Sequence, residues 1–255
     1  MAVKPPSPMP DFQLVAHRGY PHRYPDNSLA GIRAALEAGA TQLEVDIQLS
    51  ASGTPWLFHD ETLKRVCGLR GRFGDLDDAA VAELAASEAA RFGEAFADEP
   101  VARLEELARE LEPRPDVHTF VEIKPEAVAQ FGPEATVDAV AARLERLVGQ
   151  VTIISFSVPC LRAVAERTPH PHGLILERWS QTRDELEEVG GPVVFCNYKK
   201  LPRGDDPIDL GRELAVYEVV DPELALALGR RGAHYVETFA WPEMHAALFG
   251  EDAEG

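Results

Sequence analysis

Leu43, Val45, Ile47 and Leu49 alternate with Glu44, Asp46 and Gln48. A period of two marks a β-strand, whose successive side chains point to opposite faces. One face of residues 41–49 is wholly apolar, and the other carries two carboxylates one strand repeat apart. A half-buried strand does not normally place two acids in a row on its inner face, because an unpaired buried carboxylate is costly. A divalent cation removes that cost, and carboxylate oxygens suit Mg²⁺ or Ca²⁺.

The same reading along the chain gives short apolar runs at 13–16, 118–124, 151–155, 173–176, 193–196, 214–219 and 234–237. Helical patterns separate them at 28–38, 101–111, 133–148, 159–167, 181–189, 222–231 and 242–249, with a short helix expected near 207–211. Asn27 or Ser28 is the expected N-cap of the first helix and Gly39 its stop. Residues 50–53 form a turn, 55–59 return as a short extended segment, and 60–100 are less regular, with one helix near 77–86. Eight strand–helix units predict a single closed parallel (β/α)₈ TIM barrel with a short insertion after the second barrel strand. An open doubly wound sheet is the alternative, and the lack of a glycine-rich loop after the first strand counts against it. The proline-rich residues 1–11 read as a flexible arm, 12–250 as the barrel, and the acidic residues 251–255 as a solvated tail.

Composition narrows the partners. The 255 residues are 45% hydrophobic and 27% charged, as expected of a globular chain with a large core. A formal net charge of −18 leaves no electrostatic footprint for nucleic acid or for stable association with an anionic membrane. An anionic substrate therefore needs a metal or a local basic cluster to reverse the field. Cys67, Cys160 and Cys196 show no zinc-binding spacing, and their odd number favours a reducing compartment. With no signal-peptide pattern and no membrane-length apolar run, the expected location is the cytoplasm. Nothing in the sequence sets the oligomeric state.

Candidate chemistry gathers where the strands end, which is where barrel active sites lie. His17-Arg18-Gly19 follows the first strand. Glu44 and Asp46 lie in the second, His59-Asp60 closes its hairpin, and Glu122 and Lys124 share a face at the end of the third. Singly these are weak signals. Glu122 beside Lys124 reads equally as an ion pair, and Glu44 with Asp46 could bind arginines inside the barrel. Seven such groups at three adjacent strand ends favour a functional site. His22, His118, His170, His172, His234 and His245 belong to no such constellation.

His17-Arg18-Gly19, Asn27-Ser28, Glu44-Val-Asp46, His59-Asp60 and Val121-Glu-Ile-Lys124 resemble, in order and spacing, the signature of the glycerophosphodiester phosphodiesterase family. Arg103-Leu-Glu-Glu and Ile154-Ser-Phe156 resemble further family elements, and the resemblance spans about residues 13–245. Asp26 and Ser28 stand where Glu and Thr are usual. Tyr217-Glu-Val-Val-Asp221 and Glu237-Thr-Phe239 also depart from the family pattern, at positions expected on the far side of the barrel mouth.

The resemblance implies metal-dependent hydrolysis of a small glycerophosphodiester to sn-glycerol 3-phosphate and an alcohol. By that likeness Glu44, Asp46 and Glu122 ligate one divalent cation, Mg²⁺ or Ca²⁺ with Mn²⁺ also acceptable. Arg18 and Lys124 hold the phosphate, and His17 and His59 form the acid–base pair. Phe156 and Tyr217 are candidate walls for the glycerol, and core packing accounts for them equally well. Three rivals share parts of this scaffold: a lysophospholipase D or sphingomyelinase D-like enzyme, a non-catalytic phosphate-binding barrel, and a metal-dependent aldolase-type barrel.

Overall fold

The computed structural model describes residues 11–181 and 184–250, so nearly all of the expected arm and the whole acidic tail lie outside the described residues. Nine strands form one sheet: β1 (Gln13–His17), β2 (Gln42–Leu49), β3 (Pro55–Leu57), β4 (His118–Ile123), β5 (Val151–Ser155), β6 (His172–Leu176), β7 (Val193–Asn197), β8 (Glu213–Tyr217) and β9 (Ala233–Thr238). All but β3 run parallel. Their order, β1-β9-β8-β7-β6-β5-β4-β2 with β1 also paired to β2, closes an eight-stranded ring as expected. β3 lies outside the ring, antiparallel to β2, with Gln48 opposite Trp56.

Three apolar clusters hold this arrangement. The outward faces of the strands, among them Leu43, Val45 and Ile47, pack beneath the surrounding helices in the largest cluster. A second fills the barrel with Val15, Phe120, Ile154, Ile175, Phe195 and Ala215. Phe120 meets Phe195 and Tyr235 edge-on at 5.0 and 5.2 Å, a favoured aromatic geometry, so the acids of β2 sit on an apolar plug. The third cluster, with Trp56, Phe58, Leu63, Val66 and Phe73, gives the insertion after β3 its own small core.

Local sequence explains most element boundaries. Ser28 caps the helix Leu29–Glu37, its hydroxyl accepting from the Gly31 amide at 3.1 Å, and Gly39 ends the segment at φ 97°. Gly19, at φ 85°, turns the chain after β1 against that helix. A Cβ there would lie 2.8 Å from the Ile32 nitrogen, which leaves no room for any other residue.

Several expectations are corrected. Residues 207–211 form no helix. The Asp209 carboxylate accepts from the Gly211 amide at 2.8 Å, a local bond that competes with a helical turn. An unforeseen helix, Pro125–Phe131, begins directly after Lys124 with proline at its first position. The helix expected over 101–111 begins later, as Leu104–Leu111, and the one over 181–189 is a 3-10 turn, Trp179–Gln181, then Asp184–Val189. Near 77–86 the helix shortens to Asp78–Ala82.

Candidate active site

β1, β2 and β4 deliver their polar residues to one pocket at the C-terminal end of the barrel. In register, His17 lies beside Glu44 across the β1–β2 pair, and Asp46 beside Glu122 across β2–β4. His17, Arg18, Glu44, His59, Glu122 and Lys124 line the pocket, and Phe156, Tyr217 and Glu237 are among the rest of its lining. Asp46 lies beneath them, fully buried. All seven residues singled out from sequence therefore converge, and Phe156 and Tyr217 stand where a small organic group can rest.

Glu44, Asp46 and Glu122 each offer a carboxylate oxygen within 4.8 Å of the others, the one such acidic or histidine cluster among the described residues. Arg18 Nε lies 2.9 Å and Lys124 Nζ 3.3 Å from opposite oxygens of Asp46. Lys124 also reaches Glu122 at 2.7 Å. Burial pushes Asp46 up, but Arg18 and Lys124 outweigh it and hold the carboxyl well below the usual range. The other acids lack such compensation. Burial and then the Asp46 charge push Glu44 well up, burial raises Glu122 against the pull of Lys124, and burial with Glu122 raises Glu237. Four buried carboxylates thus face two fixed cations, a shortfall that one divalent ion meets. Hard oxygen donors of this kind suit Mg²⁺, Ca²⁺ or Mn²⁺ rather than a soft metal, so the residues present fit such a group.

A second layer braces the first. Arg18 and Asn27 sit in left-handed backbone, at φ 55° and 59°, an uncommon conformation for side-chain-bearing residues that recurs at functional sites. The Arg18 amide donates to the Glu44 carbonyl at 2.8 Å, and the Asn27 amide to the Arg18 carbonyl at 3.1 Å. Asp26 receives Arg18 at 3.0 Å, Arg65 at 2.9 Å and Arg91 at 3.2 Å, and these guanidiniums hold it low despite burial. Glu88, 1% exposed, accepts from the Asp26 amide at 2.7 Å and from Arg91 at 2.6 Å. Arg65 and Arg91 come from the insertion, so the insertion is tied to the loop after β1.

The two histidines differ in setting. His59 Nδ1 lies 2.8 Å from Asp60, which Arg65 grips through both carboxylate oxygens at 2.9 and 2.7 Å. That bond occupies Nδ1 and leaves Nε2 as the other ring nitrogen of a residue that lines the pocket. His17 is buried, with Nε2 3.5 Å from Glu44 and Nδ1 4.0 Å from Glu237. Burial first, then Arg18, holds His17 well below its ordinary pKa. Phe239 stacks on its ring at 4.6 Å and 12°.

Glu237, expected on the far side of the mouth, therefore lies beside His17. The cause is ring closure, which pairs Val15 of β1 with Glu237 of β9. No local sequence signal marks this, because only the closed barrel makes the first and last strands neighbours. Among the remaining histidines, His118 meets Thr152 at 3.0 Å, His172 lies 2.9 Å from the Val189 carbonyl, and His245 stacks on Trp241. None of these lines the pocket.

The site is thus an acidic triad, two histidines and two cations at the strand ends of a (β/α)₈ barrel, where barrel active sites lie. The chain belongs to the glycerophosphoryl diester phosphodiesterase family, whose model matches residues 17–236. A glycerophosphodiester phosphodiesterase of Caldanaerobacter subterraneus is 33% identical over 157 residues, covering 62% of this chain and 63% of that protein. Mouse glycerophosphodiester phosphodiesterase 1 is 38% identical over 103 residues, 40% of this chain and 31% of its own length. The matched segments thus span 31% and 63% of these relatives' own lengths, less than two thirds in each case. In fold, the chain is similar to a phosphodiesterase of Oleispira antarctica solved with the product sn-glycerol-3-phosphate, at TM-score 0.79 and 23% identity over 92% of this chain and 96% of that one. A glycerophosphodiester phosphodiesterase of Agrobacterium tumefaciens aligns at TM-score 0.71 and 21% identity, over 92% and 99%.

Proposed function

We propose that this protein hydrolyses small glycerophosphodiesters to sn-glycerol 3-phosphate and an alcohol, with His17 and His59 as acid and base. The observation that carries the reading is the convergence of both histidines, Arg18, Lys124 and the acidic triad on one pocket. The Oleispira protein, with that product bound, supports the choice of substrate.

Arg18 grips the phosphate through its fork and Lys124 through a point charge. Both are pinned by Asp46, so neither must be ordered when substrate arrives. Glu44, Asp46 and Glu122 would hold one divalent ion, Mg²⁺, Ca²⁺ or Mn²⁺, which when bound neutralises charge on a phosphate oxygen. One histidine takes the proton of the attacking hydroxyl, either that of water, which gives glycerol 3-phosphate directly, or that of the glycerol 2-position, which gives a cyclic phosphate that a water then opens to glycerol 3-phosphate. The other gives a proton to the departing alkoxide as the phosphorus–oxygen bond breaks. General acid–base help of this kind supplies on the order of 10² to 10⁴ in rate. Asp60 fixes the working edge of His59. Phe156 and Tyr217 wall the glycerol side. The three cysteines form no disulfide, which suits the cytoplasm as the working compartment.

The test is glycerol 3-phosphate release from glycerophosphocholine and glycerophosphoethanolamine, with EDTA and then with added Mg²⁺, Ca²⁺ or Mn²⁺. Release that EDTA abolishes and metal restores is expected. Absence of release under every metal, with choline freed from lysophosphatidylcholine instead, would replace this reading with a lysophospholipase D.

A further inference from the structure

Two buried polar atoms in the pocket lack a hydrogen-bond partner, His17 Nδ1 and Glu237 Oε1. The other oxygen of Glu237 stands 4.0 Å from Nδ1, and the two residues are 5% and 2% exposed. A buried donor or acceptor left unmet costs about 1–3 kcal/mol, so adjacent unmet groups pair when they can reach. The gap here exceeds a good hydrogen bond by roughly 1 Å, within the reach of a small side-chain rotation. Hydrogen bonds at catalytic sites commonly tighten only once the ligand is bound.

The one acid that competes for this ring is committed elsewhere. The opposite ring nitrogen, Nε2, faces Glu44 at 3.5 Å, and Glu44 belongs to the acidic triad. Glu237 stands outside that triad. Phe239, two residues beyond Glu237, stacks on the ring. Val15, two residues before His17, pairs with Glu237 across β1 and β9. The seam that closes the barrel thus grips the imidazole by one edge and one face.

We propose that Glu237 is the positioning residue of His17, accepting a hydrogen bond from Nδ1–H so that Nε2 is the nitrogen presented to the reacting oxygen. A neutral imidazole carries one N–H. With the proton on Nδ1, the Nε2 lone pair can take a proton; with the other tautomer it cannot. This rests on the reading of His17 as a proton carrier given above.

The experiment is long-range ¹H–¹⁵N NMR of the histidine side chains, with Mg²⁺ as the sole addition, in wild type, Glu237→Ala and Glu237→Gln. The His17 signals are assigned by their loss in His17→Gln. The wild-type ring is expected to carry its proton on Nδ1, and Glu237→Ala to move it toward Nε2. Steady-state kinetics should show kcat lowered about 10- to 100-fold in Glu237→Ala, the range found for partners that orient site histidines, with KM within about twofold. Glu237→Gln, which keeps an acceptor oxygen, should recover most of that loss. Glu237→Asp withdraws the acceptor while keeping the charge, and serves with the same expected tautomer change should the alanine variant not fold. An unchanged His17 tautomer in Glu237→Ala overturns the proposal, and so does a raised KM with kcat intact, which would make Glu237 a substrate contact. The NMR reading needs no turnover, so it separates failure of this pairing from failure of the proposed reaction.

Discussion

Asn27 holds Asp46 at both ends. Its side-chain amide donates to Asp46 Oδ2 at 2.9 Å, and its carbonyl oxygen accepts from the Asp46 backbone amide at 3.0 Å. A residue of the loop after β1 thereby fixes the most buried acid of β2. Asn27→Ala is expected to lower stability by about 1–3 kcal/mol, since it leaves a buried amide unmet and keeps a non-glycine residue in left-handed backbone. Turnover should drop on the order of tenfold, as expected when a bond orienting a site ligand is lost. Urea unfolding and steady-state kinetics check both. Asn27→Asp should be worse than Asn27→Ala, because it sets a second carboxylate against Asp46.

Glu44→Ala, Asp46→Ala and Glu122→Ala should each abolish metal-dependent turnover while circular dichroism stays unchanged. Calorimetric titration with Mg²⁺, Ca²⁺ and Mn²⁺ should show binding in wild type and none in the variants. Wild-type turnover in any of the three would remove that residue from the metal set.

His17→Ala and His59→Ala should lower kcat by about 10² to 10⁴ and leave the affinity for the phosphodiester nearly unchanged. Single-turnover kinetics together with equilibrium binding separate the two quantities. Arg18→Lys is expected to weaken binding more than its retained charge suggests, since an ammonium cannot serve Asp26 and Asp46 with a planar fork.

Asp78 supplies a stability prediction far from the chemistry. Its carboxylate accepts from Ser50 and Thr54 at 2.6 Å each and from Trp56 at 3.4 Å, pinning the β2–β3 hairpin. Burial acts upward on it, but these donors together leave its pKa lowered. A carboxyl lowered by folding adds stability above its unfolded pKa and loses it as pH falls through the folded value. Asp78→Asn should therefore cost stability at neutral pH and progressively less in acid. Thermal melts from pH 7 down to pH 3 test this, and a constant difference would exclude the linkage.

The barrel was legible because strand and helix periods alternate cleanly and strand ends carry the unusual residues. Glu44 and Asp46 stood out because acids rarely follow one another on an inner face. What stayed hidden was whatever depends on closure or on long-range pairing. Glu237 meets His17 only through the β1–β9 seam. Arg65, Arg91 and Glu88 reach Asp26 from an insertion whose sequence shows no regular period. The helix Pro125–Phe131 leaves no periodic signal in the sequence, because seven residues give too few turns to display one.

All seven predicted site residues fall between positions 17 and 124, and Phe156, Tyr217 and Glu237, which complete the pocket wall, come from the later half of the chain. During synthesis the reactive half is complete before the half that encloses it has left the ribosome. On the proposed reading, substitutions in the later strands would retune which alcohol the pocket admits and leave the groups that handle phosphate untouched. The seam at β9 is the exception, because there a change in the wall is at once a change in the grip on His17.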